Sequence, residues 1–240
     1  MGYVLEVNGL TKIYPSFELK PVNFHVEAGE VMGFIGRNGA GKTTTLKAIL
    51  NLVHPHAGSV RILGMDYMDN EDKIKQQIGY AVGGINYYKR AKLKDIVAIT
   101  RIFYENWDNE AYRHYLTAFK LDENKKIMEL SEGMKVKFYL TLALSHHAKL
   151  LILDEPTSGL DPVSRDEMNE IFRKLVAILF STHITSDLEK CADTISYIKN
   201  GELLLSTKKE DFIRHYTKEM GGTPTLEDIM VHIEREEVNL

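Results

Sequence analysis

Apolar residues follow a strand-like or a helix-like spacing in successive parts of the chain. Alternating apolar and polar residues at Tyr3–Val7 and Phe24–Val26, on either side of a turn near Pro15–Ser16, predict half-buried antiparallel strands. Val31–Ile35 is almost wholly apolar and ends before a glycine, and Thr43–Leu52 then has apolar residues at helical spacing. The order strand, glycine loop, helix is therefore expected in this part of the chain.

The middle of the chain predicts helices inserted between buried strands. Residues 87–148 have a mostly helical pattern, with Asp108 and Ser131 as candidate N-caps. Leu150–Leu153 and Ala177–Ser181 are short apolar runs typical of buried parallel strands. This alternation predicts an α/β fold with a parallel sheet, an N-terminal antiparallel β subdomain and an inserted helical subdomain.

Two further features concern the second half of the chain. A predicted helix over Ile171–Leu175 passes into the strand Ala177–Ser181 without glycine, proline or a polar turn, which raises the question whether a short loop near Val176 is absent from the sequence. The tail 208–240 is charged and predicted to be helical, with an interruption at Gly221–Pro224.

Composition and charge narrow the class of protein. Lys and Arg total 30 against 34 Asp and Glu in 240 residues, and no block of basic residues would follow a phosphate backbone. Nucleic acid is therefore not an expected partner. The longest apolar runs are far shorter than the roughly 18 residues of a membrane-spanning helix. The N-terminus does not resemble a secretory signal, and the single cysteine, Cys191, fits a reducing cytoplasm.

A glycine-rich motif lies between the predicted strand and helix. Gly36-Arg37-Asn38-Gly39-Ala40-Gly41-Lys42-Thr43 matches G-x-x-x-x-G-K-[ST] in full. Glycines let the backbone curl so that N–H groups and a helix N-terminus point at phosphates. Lys42 is expected to reach the β- and γ-phosphates, and Thr43 to ligate Mg²⁺. The motif predicts a P-loop NTPase core that uses ATP and Mg²⁺.

An acidic pair follows the next apolar run. The predicted strand at Leu150–Leu153 would deliver Asp154 to the magnesium ion as a hard oxygen ligand. Glu155 could then polarise a water for attack on the γ-phosphate. Acidic residues after strands are common, so the pair gains its meaning from the glycine-rich motif.

Three further segments carry a resemblance to a family. Leu130-Ser131-Glu132-Gly133-Met134 resembles the ABC signature LSGGQ, Ser158-Gly159-Leu160-Asp161 resembles the D-loop, and His183 after Phe180-Ser181-Thr182 is similar to the switch histidine. With the two P-loop elements, they follow the order found in ATP-binding subunits of ABC transporters and cover nearly the whole chain.

The resemblance implies roles for particular residues. Tyr14 would stack on the adenine ring, and ATP would be sandwiched between the loop of Lys42 and the signature residues of a second subunit. His183 would contact the γ-phosphate, and Asp161 would communicate across the dimer. The expected nucleotide-binding residues are Tyr14, Gly36, Asn38, Gly39, Ala40, Gly41, Lys42, Thr43 and Thr44; the signature residues acting from the partner are Ser131, Glu132 and Gly133; and the D-loop residues are Ser158 and Asp161.

Two departures from the family pattern bear on the site. Glu132 and Met134 stand where the signature usually has glycine and glutamine, so a carboxylate could lie near the triphosphate unless it points outward. Ile78–Gly84 occupies the place of the Q-loop, but no glutamine follows the predicted strand, and Gly83 stands at the approximate position of that glutamine.

Taken with its length, the chain most resembles exporter ATPases that bind separate membrane-spanning permease subunits on the cytoplasmic face of the membrane, as a homodimer or as a heterodimer with a second ATPase subunit. Residues 1–207 would form the ATPase domain and 208–240 a helical tail. The alternatives are an importer ATPase, a DNA-repair or chromosome-structure ATPase, and a translation-factor ATPase. A small-molecule kinase or GTPase would share the phosphate loop but would not explain the signature or His183.

Overall fold

The computed structural model of the protein describes residues 2–81 and 88–235. Four strands form an antiparallel sheet in the order β2-β1-β4-β5. They are β1 (Leu5–Tyr14), β2 (Phe17–Val26), β4 (Ala57–Ile62) and β5 (Met65–Asp66). The antiparallel N-terminal sheet predicted from the alternating pattern is therefore confirmed.

A second sheet of six strands has the order β10-β9-β3-β8-β7-β6. Its strands are β3 (Val31–Ile35), β6 (Ile78–Ala81), β7 (Leu150–Asp154), β8 (Ala177–Thr182), β9 (Thr194–Lys199) and β10 (Glu202–Lys208). All neighbours pair in parallel except β10, which is antiparallel to β9. Ile35 lies opposite Thr182 and Asp154 opposite Ser181, so the carboxyl ends of β3, β7 and β8 meet at one edge.

Helices cover this sheet and fill the insertion. In the described residues they are α1 (Lys42–Ile49), α2 (Tyr67–Lys75), α3 (Leu93–Thr100), α4 (Asn109–Ala118), α5 (Glu132–Ser145), α6 (Pro162–Phe172), α7 (Thr185–Cys191), α8 (Lys209–Met220) and α9 (Leu226–Arg235). None of the helices in the described ranges is both long and apolar enough to cross a membrane. The predicted α/β fold class is confirmed.

The six-stranded sheet separates two hydrophobic cores because successive side chains of a strand point to opposite faces. On β7, Leu150 and Ile152 join the antiparallel sheet and α1 in one core. Leu151 and Leu153 join α5, α6 and the C-terminal helices in the other. Both faces of the strand are buried, which explains why its sequence is continuously apolar.

A third, smaller core lies within the helical insertion. It is built from α3, α4 and α5 around residues such as Phe138, whose side chain is fully buried. Asp108 accepts hydrogen bonds from the N–H groups of Glu110 and Ala111, and Ser131 accepts one from Met134. Both predicted N-caps are therefore confirmed, as is the helical character of the described residues of 87–148.

The first strands are longer than the alternating pattern predicts. Strand β1 extends beyond Val7 to Tyr14, and β2 begins at Phe17 instead of Phe24. The pairing register shifts between Val7 and Leu10, where Gly9 has φ +60°. A bulge of this kind interrupts the alternation of inward and outward side chains without ending the strand. The sequence pattern alone therefore ended β1 too early.

Two helix ends also differ from expectation. Helix α1 spans Lys42–Ile49, one residue earlier at its start and shorter at its end than predicted. Helix α6 ends at Phe172, so the helix expected over Ile171–Leu175 is wrong. Arg173–Val176 form the connection to β8, and the exposed Arg173 and Lys174 supply its polar part. The chain passes from α6 to β8 through this short turn.

Candidate active site

The loop between β3 and α1 requires glycine at several positions. Gly39 and Gly41 have φ values of +84° and +113°, in the region that residues with a Cβ rarely adopt. A Cβ at Gly36 would lie 2.2 Å from the carbonyl oxygen of Ile198 on β9. Helix α1 begins directly after this loop at Lys42, so the free N–H groups of its first turn border the loop.

Lys42 is the buried cation of this loop, with 5% of its surface exposed. Its Nζ donates to the carbonyl oxygens of Gly36 at 2.7 Å and of Arg37 at 3.2 Å. The same atom lies 3.3 Å from Oε1 of Glu155. The ammonium group is thus held inside the curve of the loop, where it can bind phosphate oxygens.

Asp154, at the end of β7, accepts hydrogen bonds from two hydroxyl groups. Thr43 Oγ1 donates to Oδ2 at 2.8 Å, and Ser181 Oγ donates to Oδ1 at 2.5 Å. Hydroxyl and carboxylate oxygens are the hard ligands that Mg²⁺ takes, and this ion is usually held by one or two protein groups together with waters and phosphates. The donor pair Thr43 and Asp154 therefore fits Mg²⁺ bound with a nucleotide.

Glu155 occupies a strained position between Lys42 and His183. Its φ of +51° lies in the left-handed region, which is uncommon for a residue with a side chain. Its N–H donates to both the carbonyl and the hydroxyl oxygen of Ser181, each at 3.1 Å. Its Oε2 lies 2.8 Å from His183 Nδ1. The end of β8 thus fixes a carboxylate that can accept a proton from water.

These residues surround an open cleft of about 220 Å³. Its lining consists of Phe17, Arg37, Asn38, Gly39, Gly41, Lys42, Thr43, Thr44 and Glu155. Ala40 is buried beneath it, and its carbonyl oxygen accepts a hydrogen bond from the N–H of Gly201.

The aromatic side chain in this cleft differs from the one expected. Tyr14 lies at the end of β1, 37% exposed, with Lys12 Nζ 5.3 Å from the centre of its ring. Phe17 pairs with Tyr14 across the turn and lines the cleft. The sequence interpretation missed Phe17; its signal was a second aromatic residue directly after the Pro15–Ser16 turn.

The signature segment forms the start of α5. Ser131 Oγ caps the helix by accepting from Met134 N at 3.3 Å. The Glu132 side chain is 60% exposed and makes an ion pair with Lys135 at 2.6 Å, so it points outward. Gly133 is buried, and a Cβ there would lie 3.6 Å from side-chain atoms of Leu160. The signature segment therefore packs against the D-loop of the same chain.

The D-loop leads into α6. Asp161 caps this helix, accepting from Val163 N at 3.0 Å and Ser164 Oγ at 2.6 Å. The Ser164 hydroxyl is the main reason that the pKa of Asp161 is lowered. Ser158 is exposed, and its N–H donates to the carbonyl oxygen of Glu155 at 3.1 Å. The residues of the phosphate loop thus lie with Asp154, Glu155 and His183 around Lys42. The signature residues and Asp161 lie around Gly133.

The Q-loop position, Gly83, lies outside the described residues. The preceding strand β6 is parallel to β7, as a core strand should be. Gln76, just before it, donates to Phe103 O at 2.7 Å and accepts from Glu105 N at 3.0 Å. This glutamine therefore binds the helical insertion.

Ser181 and Asp187 are two more residues near the site that sequence analysis did not assign. No sequence signal singled out Ser181, because only the register of the adjacent parallel strands β7 and β8 places it opposite Asp154. Asp187, in α7, lies four residues after His183 and is fully buried although its side chain is a carboxyl group. No sequence pattern distinguished it from an exposed helix residue.

A phosphate loop after β3, facing an acidic pair at the end of β7 in the same parallel sheet, defines a P-loop ATPase. The sequence pattern of the ABC transporter family matches residues 19–158, more than half of the chain. The chain belongs to this family and is an ATP-binding, ATP-hydrolysing subunit.

Relatives and solved structures similar to this chain are also ATP-binding proteins of ABC transporters. The chain is 34% identical over 212 residues to the bacitracin transport ATP-binding protein BcrA of Bacillus licheniformis, covering 85% of this chain and 69% of that protein. It is 31% identical to the probable multidrug ABC transporter ATP-binding protein YbhF of Escherichia coli, covering 96% of this chain and 41% of that protein. A solved ATP-binding subunit of an ABC transporter superposes with a TM-score of 0.81 at 29% identity, covering 96% of this chain and 99% of that one.

Proposed function

We propose that this chain powers export of a substrate through separate membrane-spanning permease subunits. The observation that carries the proposal is its 34% identity, over most of its length, to a protein named for bacitracin transport. The similarity to a probable multidrug transporter subunit points in the same direction. Bacitracin is therefore the substrate to test first. The chain would bind its permeases at the cytoplasmic face of the membrane.

The contacts of Lys42, Thr43 and Glu155 support a separate role for each residue at the ATP site. Lys42 binds the β- and γ-phosphates. Thr43 and Asp154 would hold Mg²⁺, which would supply positive charge against the phosphates. Glu155 accepts the proton of the attacking water. His183, whose Nδ1 lies 2.8 Å from the Glu155 carboxylate, orients this carboxylate and contacts the γ-phosphate. Tyr14 or Phe17 stacks on the adenine ring.

We further propose that ATP closes a head-to-tail dimer. In this arrangement the cleft of one subunit is covered by Ser131 and Gly133 of the second, because the N-terminus of α5 offers N–H groups to the triphosphate. Asp161 then lies at the interface and relays closure between the two sites. Residues 1–207 act as the ATPase domain, 87–148 as its helical insertion and 208–240 as a tail.

The direction of transport can be tested in membrane vesicles. The chain is produced together with a candidate multi-span permease subunit, sought first in the neighbouring reading frames, and uptake of labelled bacitracin is measured in inside-out vesicles supplied with ATP. ATP-dependent uptake that disappears in Glu155→Gln supports export. Uptake only into right-side-out vesicles loaded with ATP would instead indicate an importer.

A further inference from the structure

A buried carboxylate lies just behind the candidate active site. Asp187, in α7, has no exposed surface. Its Oδ2 accepts from Thr157 Oγ1 at 2.5 Å and its Oδ1 from Asn169 Nδ2 at 3.1 Å. Arg165 Nε lies 3.9 Å from Oδ1. A charge removed from water in this way is costly unless it is paired and hydrogen-bonded, so all three partners matter to it.

Asp187 and its partners belong to three segments that follow candidate site residues. Thr157 follows Glu155 by two residues, and Asp187 follows His183 by four. Arg165 also donates from its guanidinium to the carbonyl oxygen of Leu160, next to Asp161, at 3.3 Å. The Asp187 carboxylate thus joins the turn after Glu155, the helix after His183 and the helix that begins at the D-loop.

We propose that Asp187 is a positioning residue for ATP hydrolysis, because it fixes Glu155 and His183 relative to each other through Thr157 and α7. Glu155 has a strained backbone, and such a conformation persists only when its surroundings hold it. Ser181 holds it from one side. The hydrogen bond between Thr157 and Asp187 holds the turn that follows Glu155. The inference rests on the proposed role of Glu155 as general base.

A second buried carboxylate offers a matched control. Glu30 is 7% exposed and, like Asp187, binds a threonine hydroxyl, that of Thr194, and a basic side chain, Lys208 Nζ at 2.9 Å. Glu30 lies directly before the amino end of β3, whereas Gly36 lies directly after the carboxyl end of the same strand. Loss of its charge should affect folding without reaching the site.

The test measures steady-state ATP hydrolysis and thermal unfolding of the full chain in Asp187→Asn, Thr157→Val, Thr157→Ser and Glu30→Gln. Asp187→Asn and Thr157→Val should each lower kcat about tenfold with KM for ATP nearly unchanged, because the reacting groups are misplaced while phosphate binding is kept. Thr157→Ser should retain activity, since it keeps the hydroxyl. The double variant that combines Asp187→Asn with Thr157→Val should have a kcat no lower than that of the slower single variant, because both changes break the same hydrogen bond. Glu30→Gln should lower the unfolding temperature but leave kcat within about twofold.

Several outcomes would overturn the inference: unchanged kcat in Thr157→Val, an equal loss in Thr157→Ser, or an equal loss of kcat in Glu30→Gln. If Asp187→Asn does not fold, the Thr157 pair decides alone. Glu155→Gln, assayed in parallel, separates the two claims. Retained turnover in Glu155→Gln would rule out both the role of Glu155 as general base and the role of Asp187 in positioning it. Loss of turnover in Glu155→Gln together with an unchanged kcat in Thr157→Val would rule out only the positioning role of Asp187.

Discussion

His183 Nδ1 lies 2.8 Å from Oε2 of Glu155, so the ends of the neighbouring strands β7 and β8 present a joined carboxylate and imidazole. If Glu155 is the general base, Glu155→Gln should lower ATP turnover by about a hundredfold or more, because an amide cannot accept the proton of water. ATP binding, measured by fluorescence of a labelled nucleotide, should remain. The matched control is Glu167→Gln, which removes an exposed carboxylate that pairs with Lys137. Normal turnover in Glu155→Gln would remove this residue from the role.

Lys42 is expected to provide the fixed cation for the triphosphate. Lys42→Ala should weaken ATP binding and abolish turnover, since its Nζ is held within the curve of the loop. Equilibrium binding and phosphate release are the two measurements. Lys47→Ala, on the same helix α1, removes one positive charge away from the loop and should leave both values nearly unchanged. Equal effects of the two substitutions would show that overall charge, and not position, matters.

Glu132 departs from the family signature but points away from the helix start. It is exposed and paired with Lys135 of its own helix, so its charge should not oppose an ATP-bound dimer. Glu132→Gly should therefore change the dissociation constant of that dimer by less than about twofold, because surface ion pairs contribute little. Analytical ultracentrifugation in the Glu155→Gln background gives this constant. A markedly tighter dimer would mean that the carboxylate turns inward on closure.

His146 makes the stability of the fold depend on pH. Burial lowers its pKa from 6.5 to about 4, against the hydrogen bond of its Nδ1 to Gln76 O. Its ring also stacks on Tyr104 with centroids 3.7 Å apart. Between pH 6.5 and about 4 the unfolded chain binds a proton that the folded chain does not, so the free energy of unfolding falls as the pH falls through this window. The loss amounts to at most about 3 kcal/mol.

Urea unfolding at pH 7 and pH 5 measures this dependence. His146→Gln removes the titrating group and should reduce the difference between the two pH values. His54→Gln, at an exposed histidine, is the control and should retain the full difference. An unchanged difference in His146→Gln would contradict the assignment.

The sequence predicted the parts of the fold that depend on local patterns. The parallel strands were visible because both faces of β7 are buried, and the glycine loop because each glycine has a backbone or steric requirement. The extent of β1 was not visible, since the bulge at Gly9 breaks the alternation. The network around Asp187 was also hidden, because its partners on α6 meet it only through tertiary packing.

The orientation of Glu132 shows the same limit at the candidate site. Its identity was plain from the sequence, but only the ion pair with Lys135 shows which way the side chain points. Phe17 was missed for a related reason. The hairpin turn brings Phe17 to the phosphate loop, whereas Tyr14, its partner across the turn, is not among the described residues that line the cleft.

The central claim is that ATP joins two copies through the loop of Lys42 and the signature residues Ser131 and Gly133. Sedimentation velocity of Glu155→Gln with and without ATP, alone and combined with Ser131→Arg, tests it most directly. We predict a monomer without ATP, a dimer with ATP, and a monomer in both conditions when Ser131→Arg is present, because the bulky side chain would block the helix start. An ATP-bound dimer that persists with Ser131→Arg in both subunits would contradict the claim.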